Sequence, residues 1–138
     1  MILNNPLISK FLSLNLPKED YALFGSAIMY FHGLKDLGNL DVVARGKAWE
    51  KACRIKEPEI PPSKKGLVVR PFGDEIEIFS EWSPGDWDVN DLIDGAETIE
   101  GIKVVGFDNV IKAKKLRGSE KDFVHIKMME EYLNHQVV

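Results

Sequence analysis

The stretch from Leu23 to Ala44 constrains this chain more than any other part of it. An apolar strand over Tyr21–Phe24 runs into Gly25-Ser26, and a short apolar helix, Ala27 to His32, follows. Ser26 is placed to cap that helix and Gly33 to end it. After a loop over 35–38, a second strand, Leu40–Ala44, carries Asp41 between apolar neighbours. Alternate strand residues share a face, so Asn39 and Asp41 point one way while Leu40 and Val42 point into a core.

The rest of the chain extends this start. Leu7 to Leu16 has a helical stripe that Pro17 stops, and Gly46 opens a helix to about Ile55. Three prolines make Lys56 to Gly66 a loop. Leu67 to Phe72 and Glu75 to Phe79 flank Gly73-Asp74 as a hairpin, with Pro71 marking an edge or a bulge. Val89 to Ala96 reads as a short helix, and Thr98-Ile99 with Ile102 to Val105 as a second hairpin about Glu100-Gly101. Asp108 is placed to cap a helix over Asn109 to Leu116 that Gly118 ends. Ser119 and Asp122 then open a last helix, with Phe123, Ile126, Met129 and Leu133 on its inner side. The order predicts an α+β fold, a mixed β-sheet flanked by helices.

Composition bounds what such a fold can do. With 138 residues, 44% of them hydrophobic, one domain over 1–138 can bury a core without staples. A net charge of -4 argues against a sequence-independent nucleic-acid coat and leaves room for a local basic patch. The lone Cys53 allows no internal disulfide and fits a reducing, cytoplasmic location; its helical surroundings make it a packing residue. No apolar run reaches the ~20 residues of a membrane span, so no membrane association is expected. The opening Met1 to Pro6 lacks a basic leader. His32, His125 and His135 are scattered, which gives no zinc pattern.

Three pieces could carry chemistry. Glycine between strand and helix lets backbone approach a ligand, and the following N–H groups and the Ser26 hydroxyl can meet an anion. Alone, Gly25-Ser26 also fits an ordinary turn with an N-cap. Asp41, set among strand-formers, calls for a partner or a metal, or caps a strand end. Glu77 lies in Glu75-Ile76-Glu77-Ile78-Phe79, where 75 and 77 share a face that alternation alone would leave in solvent. A strand beside that of Asp41 would bring the carboxylates together.

Together, Gly25-Ser26, Asn39-x-Asp41 and Glu77 resemble the nucleotidyltransferase superfamily, the minimal fold shared with the palm of DNA polymerase β. Val110-Ile-Lys-Ala-Lys-Lys followed by Glu120-Lys-Asp-Phe-Val-His-Ile is similar to the closing helix pair of small nucleotidyltransferases, including those of toxin–antitoxin systems. The resemblance covers roughly residues 20 to 134. It implies transfer of a nucleoside monophosphate from a nucleoside triphosphate to a small molecule, a protein or an RNA end, with Mg2+ held by Asp41, Glu77 and Asn39. Asp41 and Glu77 would be catalytic; Gly25, Ser26, Asn39 and Lys121 would bind nucleotide. An antitoxin-like protein is an implied partner.

Asn39 stands where the pattern has a second carboxylate. Its amide oxygen can coordinate magnesium but brings no charge, which opens the alternative of a catalytically degenerate relative that binds nucleotide or a partner. Asp36 could substitute if its loop folds back. The basic cluster Lys112, Lys114, Lys115, Arg117 and Lys121 could meet phosphates, although composition favours a solvated helix face. Trp82 and Trp87 could stack on a base or pack their loop, with packing the better reading, and His32 is read as a capping or packing residue.

Overall fold

A computed structural model describes residues 4–135, so the first three residues of the opening stretch read above lie outside it. The first helix, α1 (Pro6–Leu12), starts where the Asn5 side chain accepts from the Leu7 and Ile8 N–H groups, and it buries Ile8 and Phe11. It is shorter than the expected Leu7 to Leu16. The Ser13 hydroxyl donates to the Lys10 carbonyl, Asn15 takes a left-handed φ of 54°, and Leu16 reaches the core from a loop. A 3-10 turn over Lys18–Asp20, absent from the sequence reading, leads into β1 (Tyr21–Phe24), all four residues of which are buried.

Helix α2 (Ala27–Phe31), strand β2 (Leu40–Ala44) and helix α3 (Gly46–Ile55) follow as read. Strand β3 (Val68–Val69), β4 (Pro71–Asp74) and β5 (Ile76–Phe79) make up the hairpin region. Strand β3 runs antiparallel to β5, with Val69 opposite Ile78. Glu75 lies in the turn before β5 rather than within the strand, and pairs with Lys10 at 2.8 Å.

Helix α4 (Val89–Asp94) is capped by the Asp88 side chain. Strands β6 (Glu97–Ile99) and β7 (Ile102–Val104) join through Glu100 and Gly101, both at positive φ, as a two-residue hairpin turn requires. Helix α5 (Phe107–Arg117) begins after Gly106, so Asp108 lies in its first turn instead of capping it. Gly118, at φ 67°, ends α5.

The last helix, α6 (Glu120–His135), opens on the expected reciprocal pair: the Ser119 N–H donates to Asp122, and the Asp122 N–H donates to the Ser119 hydroxyl. Its inner side is rotated from the expected one. Ile126 and Met129 are buried and Leu133 is half-buried, but Phe123 is 55% exposed. Asp122 and His125 take the inward places, because polar partners wait for them there.

The described residues thus form six α-helices and one mixed six-stranded sheet in the order β3-β5-β2-β1-β7-β6. This is an α+β architecture with helices flanking an open sheet. Strand β2 lies antiparallel to β1 and parallel to β5, and β7 parallel to β1. Phe24, Leu40, Val42, Ile76 and Ile78 are buried in the core beneath the site. Trp82 stacks on Phe24 at 4.4 Å and Trp87 meets the same ring edge-on, so both tryptophans pack their loop. Among the described residues no helix is long and apolar enough to cross a membrane.

Candidate functional site

Strand register builds the site. Phe24 lies opposite Asp41, and Asp41 lies opposite Glu77, so three neighbouring strands end their apolar runs at one place. Leu40, Val42, Ile76 and Ile78 turn the other way and are fully buried, which fixes the face that both carboxylates occupy. Gly25 follows Phe24 at φ 65°. A Cβ there would stand 3.0 Å from the Asp41 Oδ2, so both conformation and space require glycine.

A cavity of about 150 Å³ opens over this point. Gly25, Ser26, Asn39, Asp41 and Lys121 line it, five of the six residues expected from sequence. Glu77 does not. It lines an adjoining cavity of about 360 Å³ that shares Asn39, Asp41, Trp82, Ser83 and Arg117 with the first. Asp36 is exposed and lines neither cavity, so its loop does not replace the missing carboxylate.

The Ser26 hydroxyl does not cap α2. It accepts from the Lys114 ammonium at 3.2 Å. With only five residues, α2 has little dipole to offer an anion, and positive charge comes from side chains instead. Lys114 is 5% exposed; its ammonium also lies 3.1 Å from the His125 Nδ1 and 3.8 Å from the Asp122 Oδ1. Burial, and then the Arg117 charge, lower its pKa to about 8. The ammonium has only protons to give, so the His125 Nδ1 accepts one and the ring proton sits on Nε2. Burial and the Lys114 charge push His125 down to about 4.

Asp122 holds this arrangement in place. It is fully buried and accepts two hydrogen bonds from Arg117, at 2.9 and 2.6 Å, and others from Ser119. Those bonds, the Arg117 pair foremost, hold its carboxyl well below the usual range. Four members of the basic cluster, Lys112, Lys115, Arg117 and Lys121, are exposed as a solvated face would be, and Lys114 alone is buried. Lys112 lies over the Trp87 ring, Lys115 is exposed, and Lys114, Arg117 and Lys121 line the cavity.

His125 and Arg70 are the site residues that sequence reading missed; Lys114 and Arg117 were raised only within the basic cluster, with a solvated face as the favoured reading. One signal for Lys114 was present: Val110, Ala113 and Lys114 fall at i, i+3 and i+4, one helical stripe, and all three are buried. His32, as expected, packs. Its Nδ1 lies 3.1 Å from the Tyr132 hydroxyl and its ring meets Phe107.

The carboxylates are not equivalent. Asp41 is pushed up to about 6, by burial first and by Glu77 second, against the pull of Arg117 and Lys114. Glu77 is engaged: its Oε2 accepts from the Arg70 Nε at 2.8 Å. A two-metal centre needs several anionic oxygens free to converge. Here one carboxylate is unmatched, one is taken by a guanidinium, and the third position is an exposed, neutral Asn39. Among the described residues no group of three or more His, Cys, Asp or Glu could hold a metal ion. The residues present do not fit the pair of magnesium ions that the resemblance implies. No family model, curated protein or solved structure matches the chain.

Proposed function

We propose that the chain is a nucleotidyltransferase-like protein whose cavity binds the phosphates of a nucleoside triphosphate. One observation carries this reading. A buried lysine, Lys114, reaches the Ser26 hydroxyl at the Gly25-Ser26 turn, beside the Asp41–Glu77 strand pair. Asp122, the carboxylate 3.8 Å from this ammonium, is itself held by Arg117, and phosphate oxygens accept well from ammonium and hydroxyl groups. Lys121 and Arg117 line the same cavity and extend the positive surface. Calorimetric titration with ATP, GTP, CTP and UTP tests it. Saturable binding of at least one, weakened in Lys114→Met, is expected; no binding of any of the four refutes it.

A second reading, transfer of the nucleoside monophosphate to an acceptor hydroxyl, is favoured by the Asp41–Glu77 register and by the adjoining cavity that Glu77 lines. Incorporation of label from an α-labelled triphosphate, assayed with magnesium supplied and lost in Asp41→Ala, would support it. Absence of incorporation across a broad acceptor panel leaves binding alone.

A further inference from the structure

The balance of charge at the site runs against that of a metal-dependent triphosphate centre. Lys114, Arg117 and Lys121 line the cavity. Facing these three cations are two carboxylates, Asp41 in the lining and Asp122 beside Lys114 and Arg117. Asp122 and Arg117 match each other, as do Glu77 and Arg70, which leaves Lys114 and Lys121 facing Asp41 alone. Asn39 adds no charge. A divalent ion entering here would meet a surplus of positive charge, and the nucleotide it accompanied would carry less negative charge to meet the lysines.

We propose that the site binds its triphosphate as the free polyanion, with the charges of Lys114 and Lys121, and Arg117 beside them, standing where other sites use a divalent metal. This rests on the triphosphate reading above and deepens it. The ammonium of Lys114 is fixed by Ser26 and His125, so it is oriented before the ligand arrives. His125 accepts from it and stays neutral, which leaves the positive charge on the lysine. The arrangement gives a triphosphate directional donors on one side and, from Arg117, a planar guanidinium where the two cavities meet.

The test is calorimetric titration of the full chain with ATP in two buffers, one with EDTA and one with excess magnesium, repeated with inorganic tripolyphosphate. Binding in EDTA at least as tight as in magnesium is expected, with tripolyphosphate behaving alike. Lys114→Met should weaken binding in EDTA by about 10- to 100-fold, as loss of a charge-assisted contact does. If that variant fails to fold, the exposed Lys121→Met serves, with a smaller loss expected. Asn39→Asp should lower affinity in EDTA and make magnesium favourable. ATP binding that appears with magnesium and vanishes in EDTA overturns the metal-free proposal and leaves the triphosphate reading standing. No binding in either buffer removes that reading itself, and this inference with it.

Discussion

Replacing Lys114 by methionine should make the protein more stable at neutral pH, although it removes two hydrogen bonds. The ammonium is 5% exposed, and its pKa falls from an ordinary 10.5 to about 8. A lysine whose folded pKa lies below its unfolded one binds its proton less readily when folded. Its penalty is therefore fully present below pH 8 and is relieved as pH rises through 8 toward 10.5. That gap corresponds to about 3 kcal/mol. Against it stand the bonds to Ser26 and His125, about 1 kcal/mol each. Asp122 keeps Arg117 and Ser119 in the variant, so no buried carboxylate is left alone. The net expectation is a gain of about 1 kcal/mol at pH 7 for Lys114→Met, in line with buried ions replaced by apolar groups of similar size. Urea unfolding of both proteins from pH 6 to 10.5 measures it. The native curve should climb between pH 8 and 10.5 relative to the variant, and the two should cross in that window. His125 provides an independent check. With the lysine charge gone, its titration by NMR should move up from about 4. An alkaline climb of equal size in the variant, or an unmoved His125, would refute the account of the buried network.

Three further outcomes follow from the site. Asp41→Asn should stabilise the protein by up to about 3 kcal/mol at pH 7 and much less at pH 4, because a carboxyl held at about 6 instead of 3.8 carries its penalty above pH 6 and sheds it as pH falls; urea unfolding at the two pH values decides it. Asp122→Ala should cost about 3 kcal/mol in thermal unfolding, since it strips Arg117 and Ser119 of their acceptor and leaves the buried Lys114 without its nearest carboxylate. The Asp122 contribution is present above the ordinary carboxylate range and lost as pH falls below about 4, so native and Asp122→Ala melts should converge in acid. Gly25→Ala should lower stability by about 1–2 kcal/mol, from its left-handed φ and from a new methyl 3.0 Å from the Asp41 carboxylate, and should weaken any triphosphate binding in the same calorimetric assay.

The carboxylate half of the site was legible because strand alternation has a period of two and a strong apolar partner set. Leu40 and Val42 fix the face of Asp41, and Ile76 and Ile78 fix that of Glu77, so one register decides both. The cationic half was legible only as a basic cluster with Lys121 named for the nucleotide, and the buried arrangement within it was not. Helical periodicity is read from apolar residues, and on α5 and α6 the inward positions beside the cavity are Lys114, Asp122 and His125, polar groups whose justification is one another. Their partners lie 5 to 11 residues apart across a helix–helix corner or on the Gly25-Ser26 turn, which no local pattern records. The same cause misplaced Phe123: a stripe counted on hydrophobicity alone rotated α6 so that this ring faced in. The early end of α1 has a different origin, since Ser13 bonds back to the Lys10 carbonyl and unwinds a stripe that continues in sequence.

The pairing of Asp41 with Glu77 also bears on how the chain avoids assembling incorrectly. The central ladder of β1, β2 and β5 is made of short, similar apolar strands, and similar strands can dock in more than one frame. A slip of a single residue in β5 would carry Glu77 into the layer now filled by Ile76 and Ile78, and a slip in β2 would do the same to Asp41. Either would leave a carboxylate unpaired in hydrocarbon, at a cost of several kcal/mol. The two acids thus act as a frame check during sheet assembly, and removing both should broaden the folded ensemble even where it raises the melting temperature.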